Sequence, residues 1–419
     1  MKKELIILRN SFSLYIMTFV RMVFPLITLP YLTRVLSYEA YGTVNYINSV
    51  MTYIHLIIDF GFLLSATAEI SKNRDDAKKV SAIISNVIFA KVILAILSFI
   101  ILIILCCFIP LLQKELMFVF LSFLSNIISI FLLDFFFQGI EEMHILTIRF
   151  ILTQTISTTL TFLFVRGDQT LIYIPILNLI STGIAAIFSV NEILLKYKIK
   201  LVRPSFKEAI TRIRISFIYW ISDISSTIFT ALNTLLIGIY MSATDVALWS
   251  ISLQIILTIQ KLYTPITNSL YPYMIREPCF KLIKKVLIIF LPIVSIGCLL
   301  LWILSGWILT ILGGEKYIAA IYILRSLVPL TFLSFPALLF GWPVLGAISK
   351  VKETSISTIM AAITQIICLL CLIITGNFRI INIAYARTIS ESILLVTRLF
   401  FTFKNRHLFI DNKSKSKIL

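Results

Sequence analysis

The sequence predicts an all-α membrane protein, with about 12 transmembrane helices in two six-helix lobes around a central cavity. Three observations carry that expectation. Hydrophobic residues make up 59% of the 419 and charged residues 14%, with a mean hydropathy of +0.99, far from the composition of a soluble domain. The apolar residues come in runs long enough to cross a hydrocarbon layer about 30 Å thick. Lysine and arginine gather in the short segments between those runs, as loops beside anionic lipid require.

Taken in order, the spans read as 11–33, 43–66, 82–109, 115–138, 145–165 and 171–195, then 215–240, 246–270, 286–312, 318–345, 355–375 and 380–403. The runs are too long for strands and show no ten-residue dyad repeat. In a bilayer that leaves helices, because every backbone group needs a partner within the segment. The first run continues past Pro25 and Pro30 without a small-residue cleavage site, so it reads as a retained span rather than a signal peptide. The longest and most basic connection, KYKIKLVRPSFKEAITRIR at 196–214, divides the chain. Residues 1–195 form the N-terminal lobe, 196–214 a cytoplasmic linker with an amphipathic second half, 215–403 the C-terminal lobe and 404–419 a basic tail.

Charge sets the orientation. Of the 37 lysines and arginines, 26 fall on the N-terminal side of the bilayer and five (Arg34, Lys114, Arg166, Lys316 and Arg379) on the other. That asymmetry over short loops puts both termini in the cytoplasm. It also accounts for the net charge of +17 without nucleic acid. The six cysteines sit mostly in apolar runs, where cysteine is a small hydrophobe. The pair Cys368 and Cys371 lacks the flanking ligands of a zinc or redox site. No phosphate-binding loop, metal cluster or triad spacing occurs, so the chain carries no cofactor and is not expected to be an enzyme. The connecting loops are too short to hold a separate domain, so any site lies among the helices.

Ionisable residues inside the membrane are costly enough to mark function. The cations are Arg21, Lys91, Lys261, Arg325, Arg387 and Arg398, and the acids are Asp59, Asp134, Asp223 and Glu391. Arg398 and Asp134 stand near span ends and read as snorkelling residues. Arg149 reads as part of a cytoplasmic segment. Spacing groups the others. Asn45, Asn48, Thr52, His55 and Asp59 share one face of the second span. Asn10, Ser13, Arg21 and Thr28 do so on the first, and Asp223, Thr227, Thr230 and Thr234 on the seventh. On the twelfth, Arg387 and Glu391 stand four apart and can pair. Arg21, Lys91, Lys261, Arg325 and Arg387 are therefore expected to line a hydrated, net-positive substrate cavity that suits an anionic cargo. Asp59, His55, Asp223 and Glu391 would balance charge or couple an ion. Pro25 and Pro30 break the first span, and Pro329, Pro336 and Pro343 bend the tenth.

Longer segments carry a resemblance. PLITLPYLTRVLSYEAYG (25–42) followed by IDFGFLLSATAEISKNRD (58–75) resembles the N-terminal signature of O-antigen flippases of the Wzx type, in the multidrug/oligosaccharidyl-lipid/polysaccharide exporter superfamily. In the second half, ISDISSTIFTALNTLLIGIYMSATDVALWSISLQI (221–255), ITNSLYPYM (266–274) and GGEKYIAAIYILRSLVPL (313–330) are similar to that family's corresponding segments. The resemblance implies two six-helix lobes whose cavity opens alternately to each side. It implies transfer of undecaprenyl-diphosphate-linked oligosaccharide from the cytoplasmic to the periplasmic leaflet of a bacterial inner membrane, ion-coupled, with an O-antigen polymerase and a chain-length regulator as partners beyond. Arg34, Asp59, Ser65, Thr67, Asn73 and Arg74 match family positions. The chain departs at Ala68, where the family commonly has arginine (SATRE against SATAE), so no role of that arginine carries over. Two alternatives remain in view. A drug/cation antiporter would prefer an acidic or aromatic lumen, and a polymerase-type polytopic enzyme would need a large outer loop.

Overall fold

A computed structural model describes residues 2–409, with side chains from Phe12 onward except Leu14 and Pro272. The tail lysines Lys413, Lys415 and Lys417, and the side chains of Lys2, Lys3, Arg9 and Asn10, lie outside the described residues. All regular structure among the described residues is helical. Twelve helical stretches are long and apolar enough to cross a membrane, and they match the expected spans one for one.

The chain divides into two compact units, Met1–Thr227 and Ile228–Leu419. The first contains α1 (Lys2–Val35), α2 (Tyr38–Asp59), α3 (Phe62–Asn73), α4 (Ala77–Phe108), α5 (Pro110–Lys114), α6 (Leu116–Ser129), α7 (Asp134–Gly139), α8 (Met143–Phe164), α9 (Tyr173–Asn191) and α10 (Phe206–Thr227). The second contains α11 (Asn233–Tyr240), α12 (Ala243–Lys261), α13 (Thr264–Arg276), α14 (Phe280–Ile303), α15 (Ser305–Gly313), α16 (Ile321–Leu339), α17 (Val351–Ile374) and α18 (Ile380–Lys404). Sequence reading places the division in the 196–214 connection. The compact units separate further on, because α10 packs with the first unit.

The linker shows why. Residues 206–214 are the opening turns of α10 rather than a separate helix on the leaflet. The strand of chain before them is fastened to α4. The backbone N–H of Val202 donates to Ser85 Oγ (2.9 Å) and that of Ser205 to Asn86 Oδ1 (2.8 Å), while Ser81 donates to the Lys200 carbonyl. Glu208 accepts from Asn86, and Arg212 pairs with Glu69 on α3. Above these, Ser65 and Ser216 share a hydrogen bond of 2.6 Å, and Trp220 Nε1 donates to the Leu56 carbonyl at 3.1 Å.

Helix breaks are the main departure from the expected spans. The prolines of the first span do not break it: α1 runs unbroken through Pro25 and Pro30. Each proline removes one backbone donor only, and in hydrocarbon a continued helix is the cheapest way to satisfy the rest. The tenth span does break, at Gly341 (φ −75°, ψ −118°), two residues before Pro343 and beyond Pro329 and Pro336, which stay inside α16. The second span breaks at Phe60 and Gly61 (φ 43° and 73°), as the glycine suggests. The fourth breaks at Leu133 (φ 54°), with nothing in the sequence to mark it. Beyond α3, Asp76 caps α4 by accepting from the backbone N–H groups of Lys78 and Lys79. The Lys79 N–H above all holds its carboxyl below the usual carboxylate range. Asn73 takes no part in that cap: its side-chain amide donates to the Glu69 carbonyl (2.8 Å).

Gly61 is required twice over. Its left-handed backbone disfavours a side chain, and an added Cβ would stand 2.8 Å from both Trp220 N and Tyr219 Cβ of α10. Gly61→Val is therefore expected to destabilise the protein by about 2 kcal/mol or more. The loss would appear as a lowered unfolding temperature in detergent, together with faster proteolysis of the 196–214 connection.

Candidate functional site

The membrane-depth charges sort into three kinds once their partners are known. The first kind is neutralised. Lys91 on α4 meets Asp59 at the end of α2 (Nζ to Oδ1 2.6 Å), beside the Phe135 ring. Asp59 belongs to the α2 face that spacing picks out, whereas Lys91, expected from its depth alone, stands thirty-two positions away in sequence. Arg387 and Glu391 on α18 pair at 2.9 Å as expected, with the guanidinium over the Phe229 ring. Next to them Gln365 donates to Asn233 Oδ1 (2.8 Å) and accepts from Ser390 Oγ (2.7 Å), all three wholly buried. Such a pair is stable only because every polar atom around it finds a partner.

The second kind satisfies backbone carbonyls at helix discontinuities. Arg398, read from sequence as a snorkelling residue, is instead buried against Gly341. It donates to the Ala337 carbonyl (2.6 Å), Ser357 Oγ (3.2 Å) and Thr358 Oγ1 (3.2 Å). Arg325 lies over the Trp302 ring and donates to Ser305 Oγ (2.9 Å) and the Trp302 carbonyl (3.2 Å), where α14 gives way to α15. Arg149, read as a loop cation, is buried within α8. It donates to the Leu132 carbonyl and Ser189 Oγ, both at 2.6 Å, and pairs with Asp134. Asp134, itself part-exposed, is accordingly the ion-pair partner of a buried arginine, not a snorkelling residue. A guanidinium suits this work because its five donors serve a carbonyl, a hydroxyl and a carboxylate together.

The third kind faces a cavity. In the first unit a cavity of about 410 Å³ is lined by Arg21, Arg149 and Asp134, with Gln138, Thr153 and Gln154. Arg21 stands over the Phe150 ring at 5.0 Å. Two guanidiniums against one carboxylate leave the lining net positive. Ser181 also lines it, 5% exposed, with its Oγ lacking a hydrogen-bond partner among the described residues. Sequence reading foresaw Arg21 here and missed the rest. The signal was present: Thr153, Gln154 and Ser157 on α8, and Asn178, Ser181 and Thr182 on α9, are polar stripes of the kind that marked α2.

A second cavity of about 480 Å³ in the same unit is lined by Asn48, Thr52 and His55 of that α2 stripe, with Ser125, Asn126 and Asn178. Leu132, Asn178 and Thr182 line both cavities, so the two adjoin. Asn45 turns to the Tyr41 carbonyl instead (2.8 Å).

The remaining sequence candidates are placed as follows. Asp223 is half-buried on α10, and its backbone carbonyl accepts from Ser226 (2.9 Å) and Thr227 (2.8 Å). Lys261 is half-buried in the last turn of α12. Of the family positions, Ser65 bonds α10, Thr67 reaches the Phe135 carbonyl (3.2 Å) and Arg74 meets Glu141 (3.7 Å). Arg34 is exposed and donates to the Pro30 carbonyl (3.3 Å). Ala68 is exposed on α3, next to the Glu69 that pairs with Arg212. Ser65, Thr67 and Arg74 thus tie α3 and the turn after it to α10, α7 and the turn before α8.

Comparison with known proteins agrees with this architecture. An inward-facing multidrug resistance MATE family transporter of the MOP superfamily superposes with a TM-score of 0.71, at 14% identity over 92% of this chain and 95% of that one. The lipid II flippase MurJ in an inward closed conformation gives 0.69, at 16% identity over 94% and 87%. Two relatives share the name "Putative O-antigen transporter". One from Escherichia coli (strain K12) is 25% identical over 95% of this chain and 97% of its own, and one from Shigella dysenteriae is 23% identical over 84% and 98%. The resemblance drawn from the sequence is borne out in family and in fold. Residues 7–277, well over half of the chain, match the model of the polysaccharide biosynthesis protein family, and the chain belongs to that family.

Proposed function

We propose that this protein is a flippase. It carries an undecaprenyl-diphosphate-linked oligosaccharide from the cytoplasmic to the periplasmic leaflet of the bacterial inner membrane, by alternating access and coupled to an ion. Both termini face the cytoplasm, and an O-antigen polymerase and a chain-length regulator act on the product. The observation that supports this reading best is the net-positive cavity around Arg21 and Arg149. An isolated diphosphate in hydrocarbon would cost many kcal/mol, and fixed guanidiniums beside hydroxyls and amides lower that barrier. Asp134 moderates the attraction, so that the cargo is released as well as bound. The names of the relatives favour transport of an O-antigen component over polymerisation.

Removing the protein from its host distinguishes the two. A flippase deletion leaves single lipid-linked repeat units on the inner leaflet, inaccessible to a membrane-impermeant sugar oxidant in spheroplasts. Units accumulating on the outer leaflet would replace this reading with the polymerase.

A further inference from the structure

We infer that the α2–α6–α9 cavity is the recognition site for the sugar directly attached to the diphosphate, and that it takes an uncharged sugar bearing hydroxyl or acetamido groups. The inference rests on the flippase reading and deepens it. Its basis is a difference between two adjoining cavities. The one around Arg21 and Arg149 holds every charged side chain lining either, apart from any charge His55 carries. The other is lined by three carboxamides, hydroxyls and His55, without lysine, arginine or carboxylate.

Carboxamides and hydroxyls both donate and accept, as sugar hydroxyls do, and a carboxamide matches an acetamido group atom for atom. Much of that capacity is uncommitted. The Asn48 side chain makes no hydrogen bond among the described residues. Asn126 Nδ2 reaches only the Met51 carbonyl (3.4 Å) and Sδ (3.5 Å), and Asn178 Oδ1 accepts from Ser157 at 3.3 Å. About 480 Å³ is within the range of small-ligand sites. The shared wall of Leu132, Asn178 and Thr182 puts this chamber beside the cationic one, as a sugar must lie beside the diphosphate it is bonded to.

The test uses the full-length protein in nanodiscs and two probes, undecaprenyl diphosphate and undecaprenyl-diphosphate N-acetylglucosamine, with binding read by native mass spectrometry. Asn48→Leu and Asn126→Leu are expected to weaken the sugar-bearing probe about tenfold each, the loss of one or two hydrogen bonds, and to leave the sugar-free probe unchanged. Asn48 is exposed within the cavity, so its variant folds even where the other fails. Equal loss for both probes, or no loss for the sugar-bearing one, would overturn the inference. Wild type binding the two probes equally would also overturn it while the flippase reading stands. Wild type binding neither would sink the flippase reading itself.

Discussion

Replacing Arg149 by methionine is expected to lower the stability of the first unit more than any other single exchange of a membrane-depth charge there. The side chain is 8% exposed and serves the Leu132 carbonyl, Ser189 Oγ and the Asp134 carboxylate together. Removing one partner of a buried ion pair costs about 3–5 kcal/mol. The lower figure applies because the Asp134 side chain remains 41% exposed and is partly solvated by the cavity. About 3 kcal/mol is still a large share of a typical stability of 5–15 kcal/mol, and corresponds to a drop of roughly 10 °C in unfolding temperature for a unit of this size. Thermal unfolding followed by size-exclusion fluorescence measures it. Arg149→Lys should recover only part, since an ammonium lacks the planar fork that spans carbonyl and carboxylate. Adding Asp134→Leu to the methionine variant should restore much of the loss by removing the stranded charge. If it restores nothing, the stability comes from the Leu132 and Ser189 contacts rather than from the ion pair.

The same contact recurs in the second unit, with the arginine on a different helix of its half. There Arg398 of α18 bonds the Ala337 carbonyl beside the Gly341 break, helped by Ser357 and Thr358 of α17. In the first unit Arg149 of α8 bonds the Leu132 carbonyl beside the Leu133 break, helped by Ser189 of α9. Each break falls in the fourth span of its half. An unsatisfied carbonyl in hydrocarbon costs several kcal/mol, so a mid-membrane break needs a donor from a neighbour. Two halves with no visible repeat in sequence have met that need with the same side chain from different helices.

This explains what was legible in the chain. Hydropathy and loop charge located all twelve spans, because crossing length and loop position are local properties. Spacing along α2 placed Asn48, Thr52 and His55 on one wall, since a helix face is fixed by its own period. The partners were not legible. Lys91 and Asp59 belong to different helices, and no rule of spacing joins them. The break at Leu133 carries no glycine or proline, so hydropathy ran a single span through it and left Asp134 and Arg149 at an apparent boundary. Arg325, expected at the cavity, bonds the Trp302 carbonyl, and Arg149 and Arg398 serve carbonyls in the same way: a carbonyl freed by a break is invisible in sequence.

Exposure to the cavity singles out Arg21. Arg149 and Arg398 are held by carbonyls and side chains, and Arg325 by Trp302 and Ser305. Lys91 and Arg387 are held by carboxylates. Arg21 lines the cavity over the Phe150 ring and is exposed there, which places its charge where a diphosphate in that cavity would meet it. A hydrogen bond between charged groups contributes about 1.5–3 kcal/mol, so Arg21→Ala is expected to weaken binding of undecaprenyl diphosphate roughly 10–100-fold and to remove surface polysaccharide in the host. Unfolding temperature and membrane abundance should stay close to those of wild type, because the Arg21 side chain is exposed rather than buried. Arg21→Lys keeps the charge and should retain partial transport, whereas Arg21→Gln, shorter and with two donors but no charge, should not. If glutamine supports transport as well as lysine, the cavity reads hydrogen bonds rather than charge, and the diphosphate belongs elsewhere in the molecule.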